Sequence, residues 1–376
     1  MQLSNKDNQK QKNRKVLFHC FGANNFKDKT VFLDKNGKAE ISYIAEKPGY
    51  YRVTCPQFNL TAGAVVNPYK IFPARPMPND FNTYWDELIA QLDKTPLKPK
   101  LTQVKKGDKK FLFYDLQLSC PISKAPVSGY FTRPKTATRR SLPAVLTVQG
   151  AGVTTAYMLT LPNAISLNIN AHGLPNNKGK AYYENLKKTT LKKYIYFGMQ
   201  SRDTVYFRDM ALRVYRALQY LKSRPEWNQK DLIILGGSQG GLQALMGAGL
   251  DRQVTAAAIS YAAGCDHGAS SIGRESGWPR YSSTKQYKAS PKKCAEAVDY
   301  IDGTNFARRI KAAKILMTTG TIDTVCVPSS VCAAFNVIPS KNKQLKIYLN
   351  MGHSNIPQAA KDTKNFQDKV IYPKKK

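Results

Sequence analysis

The chain has 376 residues with 42% hydrophobic content, enough for a sizeable core in one large domain or two unequal ones. No apolar run approaches the ~20 residues of a membrane-crossing helix, so no membrane partner is expected. Lys+Arg number 58 against 25 Asp+Glu, a net charge of +33 that raises nucleic acid or another polyanion as a partner. The lysines instead fall in short scattered groups such as Lys109-Lys110, Lys187-Lys188 and Lys292-Lys293, and no basic helix carries interleaved aromatics. A solvated lysine surface is therefore the expectation, without a specific nucleic-acid partner, and an acidic polysaccharide is the middle case. Seven cysteines (20, 55, 120, 265, 294, 326 and 332) lack any Cys-x-x-Cys pair. They argue against a disulfide framework and a zinc site, and leave room for a single bridge such as Cys265 with Cys294.

Residues 1–15 are polar and carry no apolar h-region, so no signal peptide is expected in this chain. From there to about residue 70 the pattern predicts short strands over 16–21, 30–33, 39–45, 50–55 and 62–66. Turn signals such as Lys35-Asn36-Gly37-Lys38 and Lys47-Pro48-Gly49 separate them. The run Pro48-Gly49-Tyr50-Tyr51 resembles the lead into a late strand of an immunoglobulin-like sandwich, where a corner tyrosine is common. About five strands fit, short of the ~seven such a sandwich uses. The expectation is an incomplete module over 1–70, followed by a catalytic domain over 71–376. A Pro-rich connector, 68–78, leads to a helix with Asp80 as N-cap and Phe81, Tyr84, Trp85, Leu88, Ile89 and Leu92 at helical spacing.

From about residue 110 strands alternate with helices. Segments 111–118 and 127–132 read as an antiparallel pair. Segments 144–148, 164–170, 232–235, 256–260, 315–319 and 345–349 read as short buried strands, with a long helix over 203–221. This alternation predicts an α/β fold: a mostly parallel sheet covered by helices, with functional groups beyond the carboxyl ends of its strands.

One stretch carries the chemistry. The apolar run before Gly236-Gly237-Ser238-Gln239-Gly240-Gly241, with a helix-forming segment 242–250 after it, has the strand–turn–helix context of a Gly-x-Ser-x-Gly nucleophile elbow. Ser238 would stand proud of the sheet above a helix N-terminus. On such a fold the order is Ser, then acid, then His. Two histidines follow Ser238, and His353, just after the last strand, suits the base better than His267, which precedes any acid at a later strand end. Asp323, just after segment 315–319, is placed to orient that histidine. Its main rival, Asp302, lies at the wrong end of the strand and reads as a cap or surface carboxylate. For the oxyanion hole the candidates are the backbone N–H groups of Gln239 and Ala151, the latter in the loop Gln149-Gly150-Ala151-Gly152.

Taken together, Gly-Gly-Ser-Gln-Gly-Gly, Tyr300-Ile301-Asp302 leading to Asn305-Phe306-Ala307, Gly320-Thr321-Ile322-Asp323, and Gly352-His353 resemble carbohydrate esterase family seven. That family comprises acetyl xylan esterases and cephalosporin-C deacetylases. The segment from Asp80-Phe81 to Trp85 is similar to its N-terminal helix, and the resemblance covers roughly residues 76–356. It implies an α/β-hydrolase fold, deacetylation of acetylated sugars or oligosaccharides, and no metal or organic cofactor. It assigns nucleophile, acid and base to Ser238, Asp323 and His353. Where the family usually has His-Gly-Tyr this chain has Gln149-Gly150-Ala151, and Asn170-Ala171-His172-Gly173 replaces Arg-Gly-Gln-Gly. Compact members form ring-like hexamers, so a homo-oligomer is in view. The chain looks closer to a longer branch with an immunoglobulin-like module, usually exported. An N-terminal truncation would then have removed a signal, and otherwise the chain is expected to be cytoplasmic. His172, His267 and Trp278 are candidate pocket residues. The alternatives are a serine hydrolase for other esters or peptides, and a non-catalytic polyanion- or carbohydrate-binding protein on a hydrolase scaffold.

Overall fold

The computed structural model describes residues 13–22, 26–311 and 313–372. Its first strands, β1 (Lys15–Phe21), β2 (Lys29–Phe32), β3 (Gly49–Cys55) and β4 (Leu60–Val66), form one antiparallel sheet in the order β2-β1-β3-β4. Segment 39–45, expected as a strand, makes no ladder. Ala39 and Ile41 still pack on the small core of Val16, Phe18, Leu33 and Cys55. Apolar alternation reports a half-buried extended chain, and it cannot report whether a neighbouring edge is open for pairing. A sandwich needs two facing sheets, and among the described residues 15–66 there is one. One sheet of four strands is short of the pair that a complete immunoglobulin-like sandwich uses, in keeping with a module expected to be incomplete. β3 and β4 lean on the larger domain instead, with Val65 packed against its main core.

That domain continues with α1 (Phe81–Asp93), β5 (Lys100–Val104), β6 (Phe111–Leu118), β7 (Val127–Pro134), β8 (Leu142–Val148), β9 (Ile165–Ile169), α2 (Gly179–Lys188), α3 (Tyr206–Lys222), β10 (Trp227–Gly237), α4 (Gln239–Leu250) and β11 (Ala256–Ser260). It ends with α5 (Lys285–Ala289), α6 (Pro291–Asp299), α7 (Gly303–Ala307), β12 (Lys314–Gly320), α8 (Pro328–Asn336), β13 (Lys343–Tyr348) and α9 (Pro357–Ile371). The nine-stranded sheet has the order β13-β12-β11-β10-β8-β9-β7-β6-β5. The run from β13 to β9 is parallel and the run from β9 to β5 antiparallel. This is the mixed, helix-flanked sheet of the α/β-hydrolase type.

Period-two alternation along the strands builds both faces. Leu232 and Ile234 join the main core with α3 and α4, while Ile233 and Leu235 face the other way, onto Val370 and Ile371 of α9. β5 was not expected from the sequence, because its Lys-Leu-Thr-Gln-Val lies on the exposed sheet edge with no apolar alternation to read. Trp85 is fully buried, and its indole N–H donates to Tyr300 O at 3.0 Å, so helical spacing here meant core. Asp80 occupies the N-cap position without capping through its side chain, which is drawn away to Arg202 Nη1 (2.5 Å) and the Tyr300 hydroxyl. Cys265 and Cys294 are both free and buried. Among the described residues no helix is long and apolar enough to cross a membrane.

Candidate active site

β10 ends at Gly237 and α4 begins at Gln239, leaving Ser238 at the turn with φ 57° and ψ −125°. A non-glycine residue held there costs on the order of 1–3 kcal/mol and persists only where its surroundings enforce it. Here Ser238 N donates to Ser260 O at 3.0 Å, and Ser238 O accepts from Ala263 N at 3.0 Å and Leu242 N at 3.2 Å. The outer glycines of the motif permit the tight turn by close approach. A Cβ on Gly236 would lie 2.2 Å from Gly240 O, and one on Gly240 would lie 2.4 Å from Val148 O. The helix and the two central strands therefore pack backbone against backbone beneath the serine.

Two loops at the same sheet end complete a line of hydrogen bonds. Ser238 Oγ is 2.9 Å from His353 Nε2, and His353 Nδ1 is 2.9 Å from Asp323 Oδ2. The fully buried Asp323 also accepts from Val325 N at 2.8 Å and Cys326 N at 2.9 Å through Oδ1. An ionised carboxylate only accepts, so its contact with Nδ1 assigns the imidazole proton there and leaves Nε2 free to accept from the serine. The two loops are zipped together: Thr321 N donates to Tyr348 O at 3.0 Å, Ile322 N to Met351 O at 3.1 Å, and Asn350 N to Thr321 Oγ1 at 3.1 Å. Tyr261 packs edge-on to the His353 ring at 5.1 Å. The buried Cys326 thiol beside Asp323 is pushed up, first by burial and then by the Asp323 charge, so it stays protonated.

Across the cleft, the loop 149–152 is held by side chains. Gln243 Nε2 donates to Gln149 O at 2.8 Å, and Gln149 Nε2 donates to Asn168 Oδ1 at 2.9 Å. His172 Nε2 meets Gly152 O at 2.9 Å, and the Tyr206 hydroxyl meets His172 Nδ1 at 2.7 Å. A carbonyl only accepts, so Nε2 carries the proton and Nδ1 takes the tyrosine's. Burial pushes the pKa of this ring down to about 4, which keeps it neutral. The Tyr194 hydroxyl donates to Gln239 Oε1, tying the elbow to the same network.

These elements border a cleft of about 600 Å³ lined by Gly150, Ala151, Tyr157, Ser238, Trp278 and His353, among others. Ser238, His353, Ala151 and Trp278 are thus brought together, with Asp323 behind His353 and Gln239 buried directly after the serine. Neither of the other two expected pocket residues borders the cleft. His172, 3% exposed, sits behind the loop it bonds. His267 is buried edge-on to Tyr281 at 4.8 Å with its pKa pushed down to about 4 by burial, and its backbone N–H donates to Asp302 Oδ2 at 2.7 Å. Asp302 caps α7 by accepting from Thr304 N at 2.8 Å, matching its reading as a cap. Sequence reasoning missed Tyr261 and Tyr157. Tyr261 directly follows a strand that was recognised, so its place at the carboxyl end was the available signal. Tyr157, half exposed at the cleft mouth, lies in a loop with no such marker.

An α/β-hydrolase-type sheet with serine, imidazole and carboxylate in line at its strand ends defines a serine hydrolase scaffold. The family model for acetyl xylan esterase (AXE1) matches residues 65–370, and the chain belongs to that family. Acetyl esterase Axe7A from Xylanibacter ruminicola is 29% identical over 331 residues, 84% of this chain and 74% of that protein. Among solved structures, an acetyl xylan esterase from Paenibacillus sp. R4 aligns with TM-score 0.67 at 24% identity, covering 81% of this chain and 98% of that one. Acetyl xylan esterase 1 from Thermoanaerobacterium sp. JW/SL YS485 aligns with TM-score 0.68 at 22% identity, covering 81% and 97%. These two likenesses establish the fold. Family membership makes the protein a serine-type carbohydrate esterase that works through an acyl-enzyme.

Proposed function

We propose that the protein removes acetyl groups from acetylated sugars or oligosaccharides, with Ser238 as nucleophile, His353 as base and Asp323 as the orienting carboxylate. The observation that carries this reading is the unbroken line Ser238 Oγ–His353 Nε2 and His353 Nδ1–Asp323 Oδ2, each step 2.9 Å. His353 Nε2 takes the serine proton as Oγ bonds to the acetyl carbonyl carbon. The N–H groups of Gln239 and Ala151 hold the resulting oxyanion; the loop of Ala151 comes close enough that a Cβ on Gly150 would lie 3.9 Å from Ser238 Cβ. Collapse breaks the carbon–oxygen bond to the sugar, and His353 returns the proton to the departing hydroxyl. Water, deprotonated by the same ring, then attacks the acetyl-serine, giving acetate and free Ser238.

A sugar is favoured by an open cleft bordered by the aromatic rings of Trp278 and Tyr157, which offer apolar faces to a pyranose while its hydroxyls stay in water. The purified enzyme should hydrolyse p-nitrophenyl acetate and lose that activity in Ser238→Ala with its fold unchanged by circular dichroism. Retained turnover in the variant would overturn the assignment. A series from acetate to octanoate esters should fall steeply beyond acetate, whereas a flat series would point to a general esterase. We also place the domain boundary near residue 70 and relate the N-terminal sheet to an immunoglobulin-like module. The Tyr51 hydroxyl supports this by donating to Lys47 O at 2.8 Å, the bond a corner tyrosine makes. Self-association, as in the compact relatives, is testable by light scattering.

A further inference from the structure

The N-terminal sheet ends on the loop that carries Asp323. Gly63 of β4 lies so close that a Cβ there would stand 1.9 Å from Thr321 O and 3.2 Å from the Tyr50 ring. Thr321 is the residue whose N–H and Oγ1 bond to the base loop at Tyr348 and Asn350. Three layers are therefore stacked without a gap: β4, the acid loop and the base loop. A second contact reaches the far end of the acid loop. Arg52 of β3, buried and lying over the Phe21 ring at 4.0 Å, pairs with Glu275 Oε1 at 3.3 Å. Arg280 shares that oxygen at 3.5 Å and donates to Thr324 O at 2.5 Å. Trp278 N, between these two partners in the chain, donates to Val325 O at 2.7 Å. A third tie follows the loop: Asn336, ending α8, donates to Pro68 O at 2.8 Å and Ile71 O at 2.7 Å, on the connector just beyond β4. Tyr50 is near enough for the Asp323 charge to add to burial in raising its hydroxyl pKa.

We infer that β3 and β4 are part of the catalytic frame, with Gly63 and Arg52 as positioning residues that hold the Asp323 loop against the His353 loop. Both residues lie before position 65, where the match to the family begins. The stacking explains why glycine stands at 63: any side chain would drive Thr321, and with it Asp323, toward His353 or out of line. An imidazole whose carboxylate has moved loses proton affinity as well as orientation, so a misplaced loop changes both rate and titration. A sheet that merely solubilised or tethered the enzyme would change neither.

The inference rests on Asp323 being the orienting carboxylate, and the test separates the two. In the full chain, Gly63→Ala should lower kcat for p-nitrophenyl acetate about 10- to 100-fold at nearly unchanged KM, the scale of a ~1 Å misplacement in a catalytic group. The acidic limb of its kcat/KM profile should move to lower pH. Arg52→Ala should show the same two changes more weakly, with Arg52→Lys restoring part of the rate. A folded Gly63→Ala enzyme with wild-type kcat, or one with reduced kcat and an unmoved limb, would overturn the inference. If Gly63→Ala does not fold, Arg52→Ala decides by the same readouts. Asp323→Asn distinguishes the premises: if it stays active the acid assignment fails, and if it is inactive while Gly63→Ala is normal, only the role of the sheet fails.

Discussion

The two walls of the cleft are built by different means. On one side, the Asp323 and His353 loops are joined by backbone N–H···O bonds and backed by a second sheet. On the other side, the loop 149–152 is held by side chains from behind: Gln243, His172, and Asn168 through Gln149. Backbone bonds do not depend on side-chain identity, so the first wall tolerates substitution until packing itself is disturbed. The second wall can be loosened one residue at a time, because each anchor is a single polar group in a buried setting.

The largest expected effect breaks the first wall at its functional centre. Asp323→Asn should keep the fold but lower kcat by about 10⁴-fold, since an amide donating toward Nδ1 selects the wrong imidazole tautomer. Next comes Asn168→Ala on the second wall. Its side chain accepts from Gln149 Nε2 and Tyr157 N and donates to Thr147 O and Thr147 Oγ1. Losing a buried group with those bonds should destabilise the protein by roughly 2–3 kcal/mol by denaturant titration, with a loss of kcat that exceeds any change in KM. His172→Phe should be milder, releasing Gly152 O and lowering kcat about tenfold in steady-state assays of p-nitrophenyl acetate hydrolysis, because Ala151 keeps its neighbours on one side. If His172→Phe matched Asp323→Asn, the contrast between the walls would be wrong.

The smallest net effect is a pH dependence, because two pairs of buried groups oppose each other. His172 and His267 both have folded pKa values of about 4, below that of an exposed ring. The unfolded chain takes up protons as pH falls through about 6.5, while the folded rings stay neutral until about 4. Their contribution is therefore full above 6.5 and is lost on the way down to 4, by at most roughly 3 kcal/mol each. The raised carboxyl groups of Asp266, to about 6, and Asp299, to about 7, act oppositely, stabilising the fold as pH drops. The measured loss between pH 6.5 and 4 should be shallower than the histidines alone would give, and shallower again in His172→Phe.

Much of the site was legible because its parts are local. A strand running into Gly236-Gly237-Ser238-Gln239-Gly240 and then a helix needs nothing distant to be recognised. Asp323 and His353 are candidates because of their order and the strands that end just before them, and the structure brings both side chains into line with Ser238. The roles of His172 and His267 were not legible: a histidine in a loop reads the same whether it faces a cleft or a core. Trp85 shows where spacing does suffice, since six apolar positions on one helix face can only be a buried stripe. β5 shows the converse, an edge strand whose pairing supplies order that its own residues do not advertise.

The sequence by itself determined the parallel part of the sheet, the elbow, the chain order of the three catalytic candidates and the membership they imply, because each strand, turn and motif is a short local pattern and the rest follows from the order of those patterns along the chain. Tertiary structure alone decided which polar groups meet across long separations. Gly63 against Thr321, Arg52 with Glu275 and His172 behind Gly152 are contacts of this kind. They depend on how the sheets stack, and stacking is set by the sum of apolar burial over the whole chain rather than by any segment of it.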